Sequence, residues 1–184
     1  MSVKTFQTGG VYPAPEHLPI SSPYGWRIID GEREFHAGID ITGQGEHHPV
    51  YATMASEVIV NQWSDTGGWM IYLRHLGDDY YSRYLHLHEQ SPIPVGRLVL
   101  QGQQIGKMGS TGLSYGIHLH FEVAYENANW GTERGTIDPQ IYLGLETDPG
   151  QPDPGQPGQP GVGLPIYLNR HSTNMRRMGV RGRR

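Results

Sequence analysis

Two histidines stand two residues apart in Gly116-Ile117-His118-Leu119-His120-Phe121-Glu122-Val123, a run that otherwise alternates towards apolar β-formers. In a strand, residues i and i+2 point to the same side of the sheet. His118 and His120 are therefore expected side by side, with Leu119 and Phe121 on the opposite face. Two imidazoles on one rigid face suit a metal ligand with a catalytic neighbour, although a His-X-His pair alone also describes surface histidines.

Two further stretches offer partners. His36-Ala37-Gly38-Ile39-Asp40 sets a histidine and a carboxylate four residues apart. Gly38 and the β-branched neighbours argue against a helix there. With a bend at Gly38, both side chains can turn towards one point. In Tyr84-Leu85-His86-Leu87-His88, two more histidines occupy one face of a strand end. Either can serve as a base or oxyanion stabiliser near a metal, the other being solvated. Two histidines and one aspartate make three protein ligands and leave the fourth position of tetrahedral zinc open, as catalytic sites do. The chain has no Cys, so any zinc must be held by His and carboxylates.

These residues need rigid carriers, and the composition says which kind. The chain of 184 residues has 26 Gly and 14 Pro, a profile that opposes long helices and suits a turn-rich β protein. Val50-Tyr51-Ala52, Glu57 to Val60, Trp69 to Leu73, Tyr80 to Leu85 and Arg97 to Leu100 are β-branched or aromatic runs. Turn signals separate them at Gly43 to Gly45, Asp65 to Gly68, Gly77 to Asp79 and Pro92 to Gly96. The expectation is an all-β domain of sandwich or open-barrel type over residues 21–146, closed by a turn at Ile137 to Leu143. Residues 1–20, with Pro13, Pro15 and Pro19 and no clear period, are expected to form an N-terminal arm.

From Thr147 a Gly/Pro/Gln repeat follows, which buries too little apolar area to offset its ordering entropy. Residues 147–163 are expected as a linker and 164–184 as an Arg-rich tail. After Asp153 there is no acidic residue but six arginines, so the net charge of −4 less those six leaves −10 for residues 1–153. Such a basic tail suits an anionic surface or a partner chain. No signal peptide is visible at the N-terminus, and no apolar run approaches the roughly 20 residues of a membrane span.

Three blocks, in order, carry a resemblance. They are Phe35-His36-Ala37-Gly38-Ile39-Asp40, Arg83-Tyr84-Leu85-His86-Leu87, and the distinctive stretch from Gly102 to Val123 that contains His118-Leu119-His120. Together with the weaker Ser22-Pro23-Tyr24-Gly25-Trp26-Arg27, Pro49-Val50-Tyr51-Ala52 and Asp138-Pro139, they resemble the lysostaphin-type zinc metallopeptidases, which cut peptide cross-links in bacterial cell walls. The resemblance runs from about Ser21 to Leu143. It implies zinc held by His36, Asp40 and His120, with His86 and His118 as the catalytic histidines beside it. It also implies an antiparallel sheet core whose loops wall a narrow groove. It chooses His86 over His88. Two departures stand out: Ser56 precedes Glu57-Val58 where the family commonly has Gly, and Ser114-Tyr115-Gly116-Ile117 replaces a common Gly-Pro pair before the first histidine.

The expected function is a zinc endopeptidase acting on peptidoglycan, released as a phage endolysin or carried on a virion tail through residues 164–184. The alternatives are a non-enzymatic structural or wall-binding virion component that keeps the fold, and a zinc amidase. Other candidates have plainer expected roles. His47-His48 is expected to be solvated, His75 to cap a turn or pack, and His17 and His171 to lie outside the domain. Tyr24, Trp26, Trp63, Trp69 and Tyr115 are expected either in the core or along a peptide groove.

Overall fold

A computed structural model describes residues 10–125, 130–133 and 135–145. The linker at 147–163, the tail at 164–184 with His171, and residues 1–9 of the arm lie outside the described residues.

Among the described residues, twelve strands and one short helix follow one another: β1 (Ile20–Ser22), β2 (Gly25–Ile29), β3 (Glu32–His36), β4 (Ile39–Thr42), β5 (Pro49–Tyr51), β6 (Ser56–Ser64), β7 (Gly68–His75), β8 (Tyr80–Leu87), β9 (Leu98–Val99), β10 (Gln104–Lys107), β11 (His118–Tyr125), β12 (Thr136–Ile137) and α1 (Pro139–Tyr142). The main antiparallel sheet has the order β1-β4-β11-β8-β7-β6-β9, with β12 added to β11. Two hairpin-sized sheets, β5 with β10 and β2 with β3, complete an all-β architecture.

Alternation explains how the main sheet divides its faces. In β4, Ile39 and Ile41 are fully buried and Asp40 and Thr42 are not; in β11, Leu119, Phe121 and Val123 go to the core. The β5–β10 sheet covers that apolar face with Val50 and Ile105, joined by Met108. Residues 10–20, expected as an arm, lie against the same core. Ala14 and Leu18 are buried within it, the Val11 N–H donates to Thr53 O at 2.9 Å, and the Tyr51 N–H donates to Pro13 O at 2.9 Å. Prolines between these apolar residues break any period, so the sequence does not show the packing. The expected closing turn is β12 followed by α1. Asp138 caps the helix through Gln140 N–H at 2.8 Å, and Pro139 sits at its start. Among the described residues no helix is long and apolar enough to cross a membrane.

One polar group sits deep in this core. The Tyr84 hydroxyl, on a ring packed against Phe121 with centroids 5.1 Å apart, accepts from Thr53 N–H at 3.0 Å and from Ser82 Oγ at 3.2 Å. Burial pushes this phenol's pKa up, against the hydrogen bonds from Ser82 and Thr53 that lower it. Tyr84→Phe would strand the Thr53 N–H inside the core, and an unsatisfied buried donor costs about 1–3 kcal/mol. The expected result is a thermal midpoint lower by several degrees, on a scale of roughly 2–4 °C per kcal/mol for a chain of this size. An unchanged midpoint in scanning calorimetry would show that the network does not stabilise the sheet.

Candidate active site

Five side chains singled out from the sequence meet on the polar face of β4, β11 and β8. His36 ends β3, and the chain then crosses through Ala37-Gly38 into β4. That crossing needs a glycine. A Cβ on Gly38 would stand 2.4 Å from Phe121 O and 3.0 Å from His120 Nε2, inside any tolerable contact. Without the side chain, β4 lies flush on β11, and the register sets Asp40 directly opposite His120.

Three atoms converge here. His36 Nε2 is 3.2 Å from Asp40 Oδ1 and 3.1 Å from His120 Nδ1, and Asp40 Oδ1 is 2.8 Å from His120 Nδ1. The far side of each imidazole is occupied. His36 Nδ1–H donates to Pro23 O at 2.7 Å, and His120 Nε2 lies 2.8 Å from Glu122 Oε1. Carbonyl and carboxylate oxygens can only accept, so these partners fix protons on the outer nitrogens and turn lone pairs inward. Two imidazole lone pairs and a carboxylate oxygen then crowd one point, an arrangement that calls for a cation between them. Tetrahedral bonds of about 2.0–2.2 Å would space such donors roughly 3.3–3.6 Å apart. The observed edges need only a few tenths of an ångström of outward movement, so the donor set can hold zinc. These three residues form the one group of three or more His, Asp or Glu donors near enough to share an ion among the described residues.

Charge behaves accordingly. For Asp40, burial acts to raise its pKa, but hydrogen bonds from His120 and His36 outweigh it and hold the carboxyl well below the usual range. For His120, burial acts downwards and is likewise outweighed, by Asp40 and Glu122, so the imidazole is pushed up to about 9.

His86 and His118 stand beside this cluster, ring centroids 4.8 Å apart. His118 Nδ1–H donates to Gly116 O at 2.9 Å, and its Nε2 is 3.7 Å from Asp40 Oδ1. His86 Nδ1–H donates to Thr111 O at 2.8 Å. Strict alternation from buried Tyr84 would turn His86 into the core. A bulge in the β7–β8 ladder and a left-handed backbone at His86, with φ 59°, turn it outward instead. Desolvation lowers its pKa to about 4 against the opposing Thr111 hydrogen bond, so the ring is neutral at pH 7. His88 goes elsewhere: it is exposed, with its ring 4.0 Å from that of His47.

The cluster floors a groove. One wall is the β2–β3 hairpin, with Arg27, Ile29, Glu34 and Phe35; the other is the loop from Leu113 to Ile117 with the Thr66-Gly67 turn. That loop is tied to the turn by Leu113 N–H to Thr66 O at 2.8 Å and Trp69 N–H to Thr111 Oγ1 at 3.0 Å. Of the five aromatic candidates, Tyr115 lines the groove, 97% exposed. Tyr24 packs on Phe35, Trp26 lies under Arg33, and Trp63 meets Trp69 edge-on. His75 is buried between Ser82 Oγ at 3.0 Å and the Tyr142 hydroxyl at 3.2 Å. His47 bonds Met108 O at 2.8 Å, and His17 lies edge-on to His48. Two site residues went unnoticed in the sequence. Glu122 and its partner Arg83, 2.7 Å away, stand directly behind His120. The signal was present: Glu122 follows His118 and His120 in the same two-residue period.

Several known proteins are similar to this chain. The family model described as peptidase family M23 matches residues 34–132. An L-Ala–D-Glu endopeptidase of Bacillus subtilis is 30% identical over 160 residues, covering 77% of this chain and 47% of the relative. A peptidoglycan DD-endopeptidase of Vibrio cholerae is 33% identical over 94 residues, 51% of this chain and 21% of the relative. The chain therefore spans less than half the length of these curated relatives. Among solved structures, a zinc containing peptidase from Vibrio cholerae superposes with TM-score 0.60 at 31% identity, covering 74% of this chain and 39% of that one. The catalytic domain of lysostaphin from Staphylococcus simulans gives TM-score 0.59 at 30% identity, covering 69% and 92%.

The crossing at Gly38 supplies a test of the geometry alone. Gly38→Ala puts a methyl into the Phe121 carbonyl and against the His120 ring, and such overpacking costs about 1–3 kcal/mol. A lower midpoint in thermal unfolding is expected, with displaced His120 resonances in the NMR spectrum. Wild-type stability together with unmoved resonances would disprove the close approach.

Proposed function

The chain belongs to peptidase family M23, and from that premise we propose that it is a zinc-dependent endopeptidase cutting peptide cross-links of bacterial peptidoglycan. The observation that carries the proposal is the convergence of His36 Nε2, Asp40 Oδ1 and His120 Nδ1 within 3.2 Å of one another, at the floor of a groove and beside two more histidines. A relative named for peptidoglycan endopeptidase activity and a similar structure described as zinc containing support the substrate and the metal.

In this reading His36, Asp40 and His120 hold the ion. Bound there, zinc would polarise the scissile carbonyl and lower the pKa of a water. The rest falls to the two histidines. His86, kept neutral by burial and with Nδ1–H engaged by Thr111 O, presents Nε2 as a proton acceptor for the attacking water. His118, pinned by Gly116 O, presents its Nε2 on the same side. Once protonated there, it donates to the developing oxyanion. The proton that His86 takes up is returned to the leaving amine, so the pair ends the cycle as it began.

The domain plan belongs to the same proposal. Residues 21–146 form the peptidase, with residues 10–20 packed against its core, while 147–163 tether and the Arg-rich 164–184 bind an anionic surface. A virion-tail or endolysin setting rests on the charge of that tail.

Two sets of variants test the site. Asp40→Ala and His120→Ala are expected to lose zinc and wall-lytic activity together, while His118→Ala keeps zinc and loses about 10²–10⁴-fold in turnover. Zinc content by atomic absorption and clearing of purified walls read these out, with mass spectrometry of the digest identifying the bond. Full zinc loading of His120→Ala, or full activity of His118→Ala, would break the assignment.

Tyr115 supplies a separate test of the groove. Its ring is almost fully exposed, so Tyr115→Ala should leave the fold and zinc intact and raise KM for wall peptides several-fold with kcat little changed. A fall in kcat with no rise in KM would contradict a substrate-facing role.

A further inference from the structure

Behind His120 lies a buried ion pair that the proposed mechanism does not use. Glu122 is 2% exposed, and its Oε1 meets both His120 Nε2 at 2.8 Å and Arg83 Nη2 at 2.7 Å. The two residues face each other across the β11–β8 ladder, where the register pairs Glu122 with Arg83. The guanidinium is fixed in turn. Its carbon lies 5.3 Å from the Tyr72 ring centroid and 5.0 Å from that of Trp130, and Nη1 donates to the Tyr72 hydroxyl at 3.3 Å.

Two alternative roles fail on this geometry. Glu122 is not placed as a base for substrate, because its bonded oxygen is engaged on both sides and the residue is almost wholly buried. Nor is the pair a strong source of stability. Buried ion pairs seldom outperform apolar side chains of similar volume, and this one leaves Glu122 Oε2 and Arg83 Nε buried without partners among the described residues. What the pair does control is the His120 ring. An imidazole can offer Nδ1 as a ligand atom only while its proton sits on Nε2, and Glu122 Oε1 is the acceptor that holds it there.

We propose that Glu122 is a positioning residue that fixes His120 with Nδ1 turned to the metal position, and that Arg83, clamped between Tyr72 and Trp130, holds Glu122 in place. The inference rests on the reading of His36, Asp40 and His120 as a metal site. It adds that the affinity of the site is set from behind, by a cross-strand pair and two rings outside the ligand set.

The test uses the full chain and zinc itself. Glu122→Gln keeps the shape and should weaken zinc binding 10–100-fold in competition with a chromophoric chelator, the usual effect of losing such a partner. In ¹⁵N-histidine spectra of the zinc-loaded protein, the His120 Nε2–H resonance should move upfield and exchange faster with water once its carboxylate acceptor is gone. Because Glu122→Gln leaves Arg83 unpaired, Arg83→Met/Glu122→Gln serves as the folded control, with its thermal midpoint measured alongside. It should weaken zinc as much as Glu122→Gln alone, since both changes act through one imidazole nitrogen. Wild-type zinc affinity or an unmoved His120 Nε2–H resonance in either variant would overturn the inference and leave the metal site standing. Failure of the unaltered protein to bind zinc would overturn the metal site and the inference with it.

Discussion

The register of β4 against β11 is the constraint on which the site depends. It sets Asp40 opposite His120 and Ile39 opposite Phe121, so one pairing decides both what is buried and what meets on the polar face. Ile39, Ile41, Leu119 and Phe121 are all fully buried. A slip of β4 by one residue would expose Ile39 and Ile41 and drive Asp40 into the core, since the side-chain period is two. At roughly 1.5–3 kcal/mol per large apolar side chain, that penalty is a large share of the whole stability of a domain. The hydrophobic face therefore fixes the geometry of the polar one.

Within that frame, each converging group is held from outside by a different part of the chain. His36 is tied to the Pro23 carbonyl before β2, and His120 to Glu122 along its own strand. Asp40 has Arg27 Nη1 3.5 Å from its second oxygen, and Arg27 is itself braced by Glu34 across the β2–β3 hairpin. The outer partners settle which atom of each group faces inward, and the crowding of acceptors follows. A donor set assembled this way is ready before any ion arrives, so little reorganisation is needed on binding.

Much of this was legible in the sequence, for identifiable reasons. Short β-branched runs between Gly-rich turns announce a β domain, and the two-residue period through His118, Leu119, His120 and Phe121 separates core from site without any coordinates. What the period could not show was the bulge at His86, because alternation assumes an unbroken ladder and His86 leaves it through a left-handed backbone. Packing of residues 10–20 was hidden by prolines that mask the apolar positions Ala14 and Leu18. Glu122 shares the period of His118 and His120, but a strand arginine and a strand glutamate read as solvated charges, so that signal did not identify its pair with Arg83. Only the cross-strand register, which no local pattern encodes, places them face to face under Tyr72 and Trp130.

The bulge at His86 shows how the domain accommodates a departure from regular structure where the site needs it. A non-glycine residue in the left-handed region costs on the order of 1–3 kcal/mol, and such a conformation survives only where its surroundings over-determine it. Here they do. His86 N–H donates to Gly67 O at 2.8 Å and His86 Nδ1–H to Thr111 O at 2.8 Å, while Thr111 Oγ1 donates to Leu87 O at 2.6 Å. Gly68 and Gly112 meet so closely that a Cβ on Gly112 would stand 2.2 Å from Gly68 N, which locks the two loops that supply those carbonyls. The glycines that look like mere turn formers thus serve the site. By letting backbone pass against backbone, they hold His86 outward beside His118, where an unbulged β8 would have buried it.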